Sequence, residues 1–117
     1  MEKITVIIPV YNNNKFIRET LNSLMEQTLT DFEALCIDDG STDDSAQIIK
    51  EYEALDHRIH YYFQKNSGAG PARNNGISKA RGEYISFLDG DDLYYPNYLK
   101  RMVEALDKTQ ADVCICE

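Results

Sequence analysis

Three carboxylates fall within four positions at Asp89-Gly90-Asp91-Asp92, directly behind the apolar run Tyr84-Ile85-Ser86-Phe87-Leu88. Like charges this close repel one another, and acids at the end of a buried strand are costly unless a positive partner compensates them. Two acids flanking one small residue on a tight turn offer two or three oxygen ligands. That set suits Mg²⁺ or Mn²⁺, which keep some waters and accept phosphate oxygens in their remaining positions. A turn of this kind can also simply cap the helix that follows. The strand-end position and three neighbouring polar clusters favour the metal.

Those clusters each follow an apolar run of their own: Tyr11-Asn12, Asp38-Asp39, and the loop over residues 65–70. Asp39 is a second strand-end carboxylate, able to accept hydrogen bonds from ligand N–H groups such as a pyrimidine imide. Tyr11 offers a flat face on which a base can stack, although a loop tyrosine is more often merely packed. Ser41 and Asp44 stand at capping-box spacing and read as the start of a helix. Gly68-Ala69-Gly70-Pro71-Ala72-Arg73 is close to a dinucleotide-binding G-x-G-x-x-G, but Arg holds the sixth position and no G-K-[ST] follows. What remains is a flexible loop feeding a helix N-terminus, with Arg73 on the first turn able to meet a phosphate or cover a base. His57 and His60 lie near the start of the third strand, away from these clusters, and read as structural or solvent-facing.

The elements that must position these residues alternate in period. Residues 4–9 form a nearly continuous β-branched run, the pattern of a strand buried on both faces. Helical spacing of Ile17, Leu21, Leu24 and Met25 predicts a helix over about residues 14–28. A second strand over 32–37 leads to a helix carrying Ile48, Ile49, Tyr52 and Leu55. A third strand over 59–63 leads to a short helix from Pro71 to Ala80, with Gly82 as its stop. The fourth strand, 84–88, is followed by a helix begun at Pro96 and bearing Leu99, Met102, Val103 and Leu106. Residues 112–116 read as a fifth strand. This alternation predicts a mainly parallel α/β sheet flanked by helices, Rossmann-like in architecture. Ligands of such sheets bind outside the carboxyl ends of the strands, and all four polar clusters fall on that rim.

Composition narrows the function classes. The chain has 117 residues, 43% of them hydrophobic, enough for one domain with a real core. A net charge of −8 argues against a nucleic-acid partner, which needs a basic face, and against adsorption to an anionic membrane. No run approaches the ~20 apolar residues of a spanning helix, and no signal peptide is visible. Cys36, Cys114 and Cys116 lie in apolar runs and read as small core residues in a reducing compartment.

With the motifs assembled, the sequence resembles the family 2 glycosyltransferases, which have the GT-A fold. The resemblance rests on four blocks in the family's order: ITVIIPVYNNNKFIRETLNSLMEQT, FEALCIDDGSTDDS, NSGAGPARNNGI and GEYISFLDGDDLYYP. It implies an enzyme that transfers a sugar from a nucleotide-sugar donor, commonly a UDP-sugar, to a saccharide or lipid-linked acceptor with inversion. Pro9 and Tyr11 would wall the base pocket, Asp39 would bond the base, and Arg73 would close over the base or diphosphate. Asp89 and Asp91 would form the D-x-D motif, Asp89 toward sugar or ribose hydroxyls and Asp91 toward a Mg²⁺ or Mn²⁺ ion. Gly90 stands where many members have Ser or Ala, a small departure if only a small residue is needed.

The resemblance also implies a catalytic base on a segment after the D-x-D block, beyond a further strand. Residues 1–117 are therefore expected to be the N-terminal donor-binding part of a longer enzyme, inactive alone, with the base and acceptor site beyond Glu117. Surface-polysaccharide assembly on the cytoplasmic side, including the inner face of the membrane, is the setting implied. A non-catalytic nucleotide-sugar-binding or scaffold module is the alternative. Phosphoryl transfer of the haloacid-dehalogenase-like kind needs Asp-x-Asp-Gly-Thr, normally on a first strand, and a receiver domain needs an acceptor Asp on the third strand. Neither pattern is present.

Overall fold

A strand with β-branched residues on both faces needs apolar cover on both sides. In the computed structural model, which describes residues 2–109, that strand lies inside the sheet. Strand β1 (Ile4–Val10) pairs in parallel with β2 (Phe32–Asp38) on one side and β4 (Tyr84–Phe87) on the other; β3 (Ile59–Phe63) pairs with β2. The order is β3-β2-β1-β4. Helices α1 (Ile17–Met25), α2 (Ser45–Leu55), α3 (Ala69–Lys79) and α4 (Tyr98–Thr109) complete the alternation expected from the sequence.

Side chains of a strand alternate between faces, so β1 feeds two cores. Ile4, Val6, Ile8 and Val10 join Leu21 and Leu24 of α1, Ile49 of α2, and Leu99 and Val103 of α4 in the larger core. Ile7 joins Leu35, Ile37 and Ala72 of α3 in a smaller core on the other face. Here α3 lies so close to the sheet that a Cβ on Gly76 would stand 2.5 Å from Ile7 Cγ2. Buried Gln27 ties α1 to the start of α4, accepting the Leu99 N–H at 3.0 Å and donating to the Tyr95 carbonyl at 2.7 Å.

Several boundaries differ from the sequence expectation. Helix α1 starts at Ile17 rather than near residue 14: the Asn13 carbonyl accepts from both Phe16 and Ile17 in a turn ahead of the helix, and residues 12–14 give their backbone N–H groups to the neighbouring segment, Asn12 to Ser41 Oγ, Asn13 to Ser45 Oγ and Asn14 to Asp43 Oδ2. The same contacts undo the capping box. Ser41 is engaged with Asn12, α2 begins at Ser45, and its first N–H is taken by Asp43 Oδ1 at 2.9 Å. Pro71 is the third residue of α3, still within the turn whose N–H groups have no intrahelical partner. Gly82 does not stop α3, which ends at Lys79; it passes over β1, its N–H donating to Thr5 Oγ1 at 2.8 Å. The fifth strand expected over 112–116, with Cys114 and Cys116, lies outside the described residues. Cys36 is buried in the larger core as expected, and burial pushes its thiol pKa up.

At the amino end of the sheet, the carboxylate of Glu33 is 1% exposed. Its Oε2 accepts from Thr5 Oγ1 at 2.6 Å and from the Arg81 N–H at 2.7 Å, while the Arg81 guanidinium approaches Oε1 at 3.4 Å. Burial opposes ionisation here, but the bonds from Thr5 and Arg81 outweigh it and hold the carboxyl below its ordinary range. We predict that Glu33→Ala, which strands these donors, costs about 2–4 kcal/mol in denaturant unfolding at pH 7. A carboxyl lowered in the folded state stabilises above its unfolded pKa and loses that contribution as pH falls through its folded value. The gap between native and variant should therefore close in acid.

Candidate functional site

The carboxyl edge of the sheet is shaped by Pro9. Ile7 O accepts from Leu88 N at 3.0 Å, so the odd residues of β1 turn their backbone toward β4. The next bond in a parallel ladder would run from the N–H of residue 9 to Leu88 O, and proline has no N–H. Pairing stops with Phe87 opposite Ile7, while β1 continues to Val10 against Asp38. A step opens between the longer strand and the shorter one. Tyr11, 49% exposed, stands at its lip, followed by Asn12 with φ 52°, a left-handed conformation that asparagine tolerates.

The two acids at the end of β2 face different tasks. Asp38 is spent inside the fold, accepting from the Ser41 N–H at 2.9 Å and from the Tyr61 hydroxyl at 2.6 Å. Asp39 reaches across to the loop between β3 and α3. Its Oδ1 accepts from Gln64 Nε2 at 2.9 Å and the Ser67 N–H at 2.7 Å; its Oδ2 accepts from the Gly68 N–H at 3.0 Å. Burial of Asp39 works against its charge, but these three bonds prevail and lower its pKa. The sequence pointed to a ligand-facing acid; what the geometry shows is Asp39 holding the loop that starts α3.

Helix α3 then presents Ala69, Ala72 and Arg73. The Arg73 Nη2 lies 3.6 Å from Asp89 Oδ1, an exposed ion pair across the step. The acidic turn is closed by the Asp92 N–H bonding Asp89 O at 3.0 Å. It is anchored from beneath by buried Thr20 of α1, whose hydroxyl lies 2.7 Å from Asp92 O and 3.2 Å from Gly90 O. In front of it, the Asn13 carboxamide accepts the Tyr11 N–H at 2.9 Å.

These pieces enclose an open cleft of about 330 Å³ lined by Pro9, Tyr11, Asp39, Arg73, Asp89, Gly90 and Asp91. All seven residues singled out from the sequence thus meet at one place. Val10, Asn13, Ala69 and Ala72 complete the lining. His57, which is exposed, and His60, which is half-buried, lie outside this lining. Sequence reasoning missed Asn13 and Thr20. A polar residue within the apolar stripe formed by Ile17, Leu21 and Leu24 was the available signal for Thr20.

The sequence profile described as glycosyl transferase family 2 matches residues 5–117. The chain belongs to that family. Among curated relatives of this family 2 chain, glycosyltransferase GlyA of Streptococcus pneumoniae is 40% identical over 114 residues, 97% of this chain but 16% of the relative. A solved structure of S. aureus TarS in complex with UDP-GlcNAc superposes with a TM-score of 0.84 at 36% identity, covering 94% of this chain and 32% of that one. Mannosyltransferase PcManGT from Pyrobaculum calidifontis, in complex with GDP-Man and Mn²⁺, superposes with a TM-score of 0.70 at 26% identity, over 79% of this chain and 28% of that one. The GT-A fold expected from the sequence is the fold found, and the chain spans from a sixth to a third of the lengths of these three proteins.

For a family 2 chain the donor chemistry of the acidic turn is the relevant test for a metal. Among the described residues no three His, Cys, Asp or Glu side chains converge to cage an ion. Asp89 and Asp91 are exposed oxygen donors on one turn, and Asp91 has no hydrogen bond or ion pair among the described residues. Such a set fits Mg²⁺ or Mn²⁺ that draws its other ligands from phosphate and water. No helix among the described residues is long and apolar enough to cross a membrane.

The hold of Asp39 on the loop can be tested without any ligand. Asp39→Ala should raise the exchange rates of the Ser67 and Gly68 amides about tenfold or more, while amides of central β1 keep their protection, as read by hydrogen–deuterium exchange.

Proposed function

We propose that this chain is the donor-binding part of a glycosyltransferase that moves a sugar from a nucleoside diphosphate, UDP in the first instance, to an acceptor hydroxyl with inversion. One observation carries the reading: a flat aromatic, a strand-end carboxylate, an arginine and an Asp-x-Asp turn line a single cleft at the carboxyl edge of a parallel sheet. Neighbours of the same fold in complex with UDP-GlcNAc and with GDP-Man and Mn²⁺ support it.

In this reading Pro9 and Tyr11 wall the base. Asp39 meets a base N–H through the acceptor capacity left on Oδ2, which carries a single loop bond. Arg73 is held over the cleft by Asp89 and exchanges that carboxylate for the donor diphosphate, which freely offers more negative charge. Asp89, released, turns to sugar or ribose hydroxyls, and Asp91 is the metal ligand. A bound Mg²⁺ or Mn²⁺ supplies Lewis-acid neutralisation of the departing diphosphate. Inversion also requires a base for the acceptor hydroxyl. The acids lining the cleft are committed to the loop, the donor and the metal, so we assign the base beyond Glu117, in the length of the relatives that this chain does not cover. Nucleotide-sugars as donors place the reaction on the cytoplasmic side, with a saccharide or lipid-linked acceptor.

Calorimetric titration of the chain with UDP, with and without Mn²⁺, tests the proposal. Binding should depend on Mn²⁺ and fall at least about tenfold in Asp91→Ala. Tyr11→Ala should weaken it by about 1–3 kcal/mol, the usual contribution of base stacking on an aromatic ring. Tight UDP binding indifferent to both Mn²⁺ and Asp91 would remove the metal role and favour a non-catalytic binding module.

A further inference from the structure

We propose that Asn13 is a positioning residue that couples the base-side loop to the acidic turn, and that its carboxamide is what confines position 90 to glycine. Asn13 Oδ1 accepts the Tyr11 N–H at 2.9 Å and so sets the lip of the cleft. Its own backbone is pinned on both sides. The Asn13 N–H donates to Ser45 Oγ at 2.9 Å, and its carbonyl accepts from Phe16 and Ile17 at 2.9 and 2.8 Å. Opposite stands Gly90, buried, where an added Cβ would meet Asn13 Oδ1 at 2.6 Å and Asn13 Cγ at 3.0 Å.

Two features show that space, not backbone conformation, excludes a side chain there. Among the described glycines only Gly40 and Gly68 have positive φ, so the backbone at Gly90 accepts an L-residue. The turn is tied to α1, where the Thr20 hydroxyl bonds the Gly90 and Asp92 carbonyls, so the side chain of Asn13 is the part freer to move. A methyl group at position 90 must therefore push the carboxamide off the Tyr11 N–H, releasing the base-side loop. The sequence expectation that any small residue would serve at position 90 is narrowed accordingly: alanine or serine there costs the Asn13–Tyr11 bond unless residue 13 is smaller.

A double-mutant cycle on the 117-residue chain tests the coupling through two readouts. The first, UDP affinity in the presence of Mn²⁺, rests on the proposed function; the second, the Tyr11 amide resonance in ligand-free ¹H–¹⁵N spectra, does not. Gly90→Ala should weaken UDP binding about tenfold in the native background but no more than about twofold in an Asn13→Ala background. The Tyr11 amide should shift in Gly90→Ala in the same direction as in Asn13→Ala, and the double variant should add nothing further. Equal Gly90→Ala losses in both backgrounds, or a Tyr11 amide that Gly90→Ala leaves in place, would overturn the coupling. If the native chain binds no UDP, the nucleotide reading fails and the amide comparison alone decides the coupling.

Discussion

The missing N–H of Pro9 is the constraint on which the candidate site depends. A buried central strand normally pairs along both edges, because an unpaired backbone donor or acceptor away from water is costly. Proline at position 9 removes one donor on the β4 side alone, leaving the β2 side paired through Val10 and Asp38. The sheet therefore ends unevenly: β1 and β2 run on while β4 turns away into Asp89-Gly90-Asp91-Asp92. Parallel pairing brings all strand ends to one edge, and the uneven ending gives that edge a cleft.

Acidic residues then do two kinds of work, separated by burial. Asp38, Asp39 and Glu33 are buried; Asp39 and Glu33 take donors from segments distant in sequence, and Asp38 takes the Ser41 N–H of its own following turn and the Tyr61 hydroxyl of β3. A desolvated carboxylate is costly unless such donors repay it, so each pins the loop that satisfies it. Asp43 acts likewise between the loop before α1 and the start of α2; burial opposes its charge, and bonds from Ser45 and Asn14 hold its pKa down. The acids of the β4 turn are exposed instead. Their charge is met by Arg73 at Asp89 and by the Leu93 N–H at Asp92, while the Asp91 carboxylate has no hydrogen bond or ion pair among the described residues.

Much of the fold was legible because it depends on local pattern. The β-branched run of residues 4–9, the helical stripe of Ile17, Leu21 and Leu24, and the punctuation by Gly and Pro place strands and helices within a few residues. Errors arose where a side chain's partner is remote. Ser41 and Asp44 have capping-box spacing, yet Ser41 Oγ is claimed by Asn12 from another strand end. Gly82 follows a helix as a stop should, but it is positioned by its crossing over Thr5. Local chemistry names what a residue can do, and competition among distant partners selects what it does.

The same division holds for the site. Sequence by itself determined which residues meet, since strand ends in a parallel sheet share an edge whatever the loops do, and Pro9, Tyr11, Asp39, Arg73, Asp89, Gly90 and Asp91 all follow or flank strand ends. Only the tertiary structure decided how they are held. Asp39 as the anchor of the loop before α3, Thr20 beneath the acidic turn, and Asn13 wedged between Tyr11 and Gly90 are contacts across 28, 70 and 77 positions of chain or through space alone. No local pattern encodes them, because each arises only after the sheet has closed and brought segments distant in sequence into contact.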